Sequence, residues 1–127
     1  MRKKKASQPQ VWLAGGIGIT PFISWIKATA SPEQEVHLFF VGRGKFYRIM
    51  VQKVTEIIGT KNIQLHIQDS EQDRLSADGI SEKLSLPLSM YQVFGCGPTP
   101  MLSSLKKQLV SKGLKPSHWH NENFVMR

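Results

Sequence analysis

The sequence predicts one α/β domain: a doubly wound, five-stranded parallel sheet with helices on both faces. Three observations carry that expectation. Strand-like and helix-like segments alternate along the chain. Two strands, "QVWLAG" (10–15) and "YQVFGCG" (91–97), end in glycines and lead into a Thr-Pro helix start. The length of 127 residues suits a single hydrophobic core of ordinary size.

Residues 10–15 are a short apolar run rich in strand formers, and "TPFISWIKATA" (20–30) is helical. Thr20 is placed to cap that helix, with Pro21 at its first position, where no backbone N–H is needed. "SPEQ" breaks the chain before "EVHLFFVG" (35–42), which is apolar on both faces and hence a central strand. From Phe46 to Ile58 apolar residues return every three or four positions, the mark of an amphipathic helix, and Gly59 ends it. "NIQLHIQD" (62–69) alternates apolar and polar, as a strand nearer the sheet edge does. "SADGISEKL" (76–84) allows a short helix, and residues 91–97 form the fourth strand. "TPMLSSLKKQLVSKG" (99–113) is a helix closing on Gly113, and "SHWHNENF" (117–124) supplies the fifth strand. Strands alternating with helices imply parallel pairing through right-handed crossovers.

A hydrophobic share of 40% and a charged share of 20% exclude a disordered chain. No apolar run approaches the roughly 18–20 residues of a membrane helix, and no signal-peptide pattern follows "MRKKKASQPQ". A single cysteine, Cys96, excludes an internal disulfide and fits a reducing compartment. A cytoplasmic location is expected, with any membrane attachment through segments outside this chain. The net charge of +8 favours anionic partners. That charge is scattered, apart from the Arg2–Lys5 run, so residues 1–9 read as a basic and polar tail or linker before a domain spanning 10–127. Basic residues are not interleaved with aromatics, and no nucleic-acid surface is expected.

In open parallel sheets, ligands bind beyond the carboxyl ends of the strands, where the winding reverses. Two glycine turns, "LAGGIGITP" and "FGCGPTP", compete for that place. A helix N-terminus offers free N–H groups and partial positive charge, and glycine lets a phosphate approach without a Cβ in the way. The P-loop pattern fails, because Gly18 is followed by Ile19-Thr20. The dinucleotide fingerprint is met only as "GIGITP", with Pro21 in place of its third glycine, and "GRGK" stands where an acidic residue belongs. Tight packing and a diphosphate-bearing ligand both remain open for these turns.

"AGGIGITPF" (14–22), "FGCGPTPML" (94–102) and "NENFVMR" (121–127) resemble the pyridine-nucleotide half of the ferredoxin–NADP reductase superfamily. That superfamily includes cytochrome b5 reductase, phthalate dioxygenase reductase, and the ferric reductase and NADPH oxidase branch. Its hallmarks are G-G-x-G-[IVL]-[TA]-P, then C-G-P-x-x-M, then a C-terminal Glu-x-aromatic. All three occur in that order, and the resemblance spans residues 10–127. It implies that Gly15, Gly16, Ile17, Gly18, Thr20 and Pro21 form the turn that holds the coenzyme pyrophosphate, with Thr20 close to the nicotinamide–flavin junction. It implies that Gly95, Cys96 and Gly97, followed by Pro98 and Met101 of the same motif, form the platform under the nicotinamide. The Cys96 sulfur would lie near the carbon that donates hydride, and Glu122 and Phe124 would face the same junction. The resemblance thus makes Cys96 and Glu122 the catalytic candidates. Taken alone, Cys96 is a small buried residue, Glu122 an exposed strand charge and Phe124 part of the core.

The family places an antiparallel barrel carrying FAD or FMN, marked by R-x-Y-[ST], before this domain. The chain shows neither, and one cysteine cannot ligate an iron–sulfur cluster. The resemblance therefore implies the NAD(P)H-binding domain of a flavin-dependent oxidoreductase, inactive alone, with ferric reductases the preferred branch. Its flavin would sit on a flavin-binding domain in cis or in trans. The onward one-electron acceptor would be iron, haem or a ferredoxin-like protein. A non-catalytic nucleotide-binding regulatory module and a basic module for an anionic macromolecule are the alternatives.

NADPH and NADH both remain open, with NADPH slightly favoured. Arg43, Lys45 and Arg48 suit a 2′-phosphate. After the third strand, where many relatives place a Ser-Arg pair, stand Asp69 and Ser70, with Arg74 further on. An aspartate there repels a phosphate and accepts from a ribose hydroxyl. His118 and His120 share one strand face, but a third metal ligand would have to be Glu122, so they read as ordinary strand histidines and no metal is expected. Trp12, Trp25 and Trp119 fall inside predicted elements, as core or interdomain contacts.

Overall fold

A computed structural model describes residues 8–121. The strands are β1 (Gln10–Gly15), β2 (Val36–Gly42), β3 (Ile63–Asp69), β4 (Gln92–Cys96) and β5 (Trp119–Asn121). They form one five-stranded sheet in the order β3-β2-β1-β4-β5, and every pairing is parallel. This is the doubly wound sheet expected from the pattern, with β2 flanked on both sides and β3 at the edge. The chain winds outward from β1 to β3 and returns to β4 on the other side of β1. The winding therefore reverses between β1 and β4.

Four helices cover the sheet: α1 (Thr20–Ala28), α2 (Gly44–Ile58), α3 (Ala77–Lys83) and α4 (Thr99–Ser111). Successive strand residues point to opposite faces, so β1 and β2 feed two cores. Trp12, Leu38 and Phe40 pack under Phe22 and Ile26 of α1 and Val54 of α2. Val11, Leu13 and Val93 pack under Ile80 of α3 and Leu105 and Leu109 of α4. Trp25 is half-buried, edge-on to Trp12 at 5.4 Å and to Phe94 at 5.7 Å between ring centroids. Among the described residues no helix is long and apolar enough to cross a membrane.

Several local expectations need correction. Thr20 does not cap α1. A 3-10 turn over Gly16–Ile19 runs directly into the helix, leaving Ile19 at the cap position, while Thr20 Oγ1 donates to the Ile17 carbonyl at 2.9 Å. Pro21 is consequently the second helical residue. The second helix begins at Gly44, ahead of its apolar repeat, because Gly44 turns the chain out of β2 at φ +81°. His118 belongs to a 3-10 turn before β5, so the strand-face argument for His118 and His120 fails. His118 Nδ1 bonds the Tyr91 carbonyl at 2.9 Å, whereas His120 Nε2 bonds Gln92 Oε1 at 2.7 Å and its ring stacks on Phe94.

The core on the α3 side contains a polar chain. Glu35 Oε2 meets His37 Nε2 at 2.5 Å, and His37 Nδ1 meets His66 Nε2 at 2.8 Å. Glu35 also accepts from Tyr91 Oη and Ser85 Oγ, each at 2.6 Å. The chain links edge strand β3 through β2 to the segment entering β4, crossing beneath β1. A buried polar residue in an apolar strand needs such partners, and His37 is 1% exposed.

This chain dictates an acid-sensitive stability. Burial, the neighbouring His37 and Lys83 depress the pKa of His66 from 6.5 to about 4. Burial alone would raise the Glu35 pKa, but hydrogen bonds from Ser85, Tyr91 and His37 outweigh it and lower the value from 4.5 to about 2. Both groups bind a proton more weakly folded than unfolded. Their stabilisation is full above pH 6.5 and 4.5 respectively, and is lost as pH falls through the folded values. Urea midpoints should therefore fall in two limbs on acidification, from 6.5 to 4 and from 4.5 to 2. His66→Gln should flatten the upper limb and leave the lower one.

Candidate functional site

The two glycine turns meet at the carboxyl ends of β1 and β4, where the winding reverses. Their backbones touch. A Cβ added to Gly18 would lie 2.3 Å from the Cys96 carbonyl oxygen, and one added to Gly97 3.0 Å from the Gly15 nitrogen. A Cβ on Gly15 would meet the Met101 and Pro98 side chains at 2.9 Å, and one on Gly95 would meet Leu102 at 2.8 Å. Backbone contact thus requires glycine at Gly18 and presses on Gly97, whereas Gly15 and Gly95 press on side chains, of which the ends of Met101 and Leu102 can shift.

Gly16 is different. It takes φ +57°, a conformation that costs a non-glycine residue about 1–2 kcal/mol, yet apart from its chain neighbours and its own helical turn no atom lies within 4 Å of where its Cβ would be. Here glycine bends the chain and leaves bare backbone open at the start of the 3-10 turn that leads into α1. Ile17 beside it is 59% exposed. Neither α1 nor α4 carries an acidic residue in its first turn, so no carboxylate cancels the partial positive charge of either N-terminus. Cys96 is buried in the α1–α2 core at the last position of β4, 4% exposed.

A second group gathers at the ends of β2 and β3. The Ser70 N–H donates to the Gly42 carbonyl at 2.8 Å, which draws the β3 loop against the residue preceding Arg43. Arg43, Lys45, Arg48, Ser70 and Arg74 are all exposed. One Asp69 carboxylate oxygen is taken up by its own turn, accepting from the Glu71 N–H at 2.9 Å. Glu122 and Phe124 lie outside the described residues.

No family model matches the chain. It is 30% identical over 112 residues to flavohemoprotein A of Dictyostelium discoideum, covering 85% of this chain and 28% of that one. It is also 30% identical over 125 residues to the glycine betaine monooxygenase reductase subunit of Chromohalobacter salexigens, covering 88% and 34%. The chain belongs to the ferredoxin–NADP reductase superfamily, as its nicotinamide-nucleotide-binding domain. This reductase domain spans about a third of the length of those curated relatives.

Solved structures share its fold. The flavohemoglobin of Malassezia yamatoensis, with bound FAD and heme, superposes with a TM-score of 0.68 at 21% identity, over 92% of this chain and 32% of that one. The FAD/NAD-binding domain of nitric oxide dioxygenase from Vibrio cholerae gives 0.68 at 21%, over 96% and 52%.

Sequence reasoning missed the Glu35–His37–His66 chain of this reductase domain. Its signal was a histidine inside "EVHLFFVG", a strand too apolar to hold an unpartnered ring. The partners could not be named, since Ser85 and Tyr91 lie about fifty residues away in sequence.

Proposed function

We propose that this chain binds NAD(P)H for a flavin-dependent oxidoreductase and aims the nicotinamide at a flavin held by another domain, in cis or in trans. The observation that carries this reading is Gly16: bare, open backbone at the start of the 3-10 turn that runs into α1, at the sheet's reversal point and beside β4 ending in Cys96. Those residues fit a diphosphate, since the open side of Gly16 admits an anion that a Cβ would obstruct and no first-turn carboxylate repels it.

When bound, the coenzyme supplies the hydride and FAD accepts it. The chain's own residues bind and orient. Gly16 and Ile17 meet the pyrophosphate through backbone N–H groups, with the exposed Thr20 alongside. Cys96 and Gly97 form a flat, small-residue floor on which a planar ring rests, and the packing under Cys96 keeps water from that side. Arg43, Lys45, Ser70 and Arg74 surround the 2′-position and favour NADPH, while Asp69 is partly engaged in its own turn. Glu122 and Phe124 are carried by the family resemblance as residues of the flavin junction. The onward acceptor is a one-electron iron or haem centre, as the relatives' names suggest, with ferric reduction the preferred case. A cytoplasmic location accords with the single cysteine.

The test pairs the chain with a flavin-binding barrel of this superfamily and follows flavin bleaching by stopped flow. Cys96→Ala should slow hydride transfer by about ten- to a hundredfold while coenzyme affinity changes little. An unchanged rate would favour the regulatory-module reading instead.

A further inference from the structure

A cavity of about 220 Å³ lies between β3 and α3, on the face where the polar chain ends. Phe39 and His66 form its floor, their rings stacked at 4.5 Å. Arg74 from the β3 loop and Lys83 from α3 line it, as do Asp73 and Glu82. Asp73 is turned back on its own loop, with Oδ1 accepting the Arg74 N–H at 2.7 Å. Among the described residues neither Arg74 nor Lys83 forms an ion pair.

The polar chain fixes how His66 faces this cavity. Ionised Glu35 takes the His37 Nε2–H, so in the neutral ring His37 Nδ1 accepts from His66 Nε2–H. His66 Nδ1 is left as a bare acceptor; no buried side-chain nitrogen among the described residues lacks a partner, so this atom is open to solvent. With His66 neutral, two cations face two carboxylates and the cavity is balanced. A proton on Nδ1 tips it positive, and Glu35 lies behind, two hydrogen bonds away, to stabilise that charge.

We propose that this cavity binds a phosphate- or sulfate-type dianion together with one proton on His66. The dianion screens the new imidazolium from Lys83 and Arg74, and the imidazolium adds a third donor to those two side chains. Binding of sulfate, which stays a dianion, therefore strengthens as pH falls, whereas a phosphate group, with its second pKa at about 6, brings the proton to His66 itself. The source is either a free ion or the 2′-phosphate of the coenzyme, and only the second rests on the coenzyme reading.

The test follows the His66 ring by NMR through a pH titration of the whole chain, with and without sulfate at constant ionic strength. Sulfate remains a dianion throughout. Its presence should raise the His66 midpoint from about 4 by a unit or more, so that sulfate affinity rises about tenfold per unit of that shift. His66→Gln, whose amide still donates toward His37, should bind sulfate without that pH dependence. A His66 midpoint unmoved by saturating sulfate would overturn the proposal. Displacement of sulfate by NADP+ but not NAD+ would identify the dianion as the coenzyme's 2′-phosphate, whereas sulfate binding beside saturating NADP+ would mark a separate site. Failure of both coenzymes to perturb the Gly16–Thr20 amides would count against the coenzyme reading alone, leaving the sulfate result to decide this one.

Discussion

Gly18→Ala should destabilise the domain by about 2–3 kcal/mol or more, the overpacking range for a position that cannot relax. The added Cβ would stand 2.3 Å from the Cys96 carbonyl oxygen, 2.6 Å from its carbon and 2.9 Å from the Gly97 nitrogen. Backbone presses on it from β4, and that backbone is itself paired with β1. Relief requires the two turns to part. Gly95→Ala makes the contrast, because its Cβ would press only on the terminal Cδ2 methyl of Leu102 at 2.8 Å, the end of a side chain that can rotate, and on no backbone. Thermal or urea melts check the pair. A Gly18→Ala cost below about 1 kcal/mol would show that the turns are not in backbone contact.

Glu35→Ala should cost about 3 kcal/mol, because it strands partners that cannot reach water. Tyr91 is fully buried and His37 nearly so, and Glu35 accepts from both as well as from Ser85. Glu35→Gln should cost less, since one amide oxygen still accepts. A double-mutant cycle with Tyr91→Phe should show coupling of roughly 1 kcal/mol or more. Strict additivity would mean that Tyr91 and Glu35 do not share the bond seen at 2.6 Å.

The alternation of segments revealed the sheet because strand and helix leave different periods in a sequence, and the apolar run 36–42 correctly marked β2 as flanked on both sides. Ends were less legible. Thr20 was misjudged because a 3-10 turn delivers the chain already helical, a backbone event no residue type announces. The glycine turns were legible as special, but their division of labour was not. Only the neighbouring atoms separate Gly18, which is needed for packing, from Gly16, which has empty space at its side. The polar chain under β1 was hidden for a related reason: its members come from three distant segments, and hydrogen bonds between them leave no spacing to read.

That contrast between the two glycines supplies the most direct measurement. Isothermal titration of NADP+, NAD+ and 2′,5′-ADP into the wild-type chain and into Gly16→Ala separates ligand binding from packing. Strain at φ +57° should cost the variant about 1–2 kcal/mol of stability, leaving it folded. Wild type should bind the nucleotides, with 2′,5′-ADP ahead of NAD+, and Gly16→Ala should lose at least about tenfold in NADP+ affinity. Equal affinity in the two folded proteins, or no binding by folded wild type, would contradict the account.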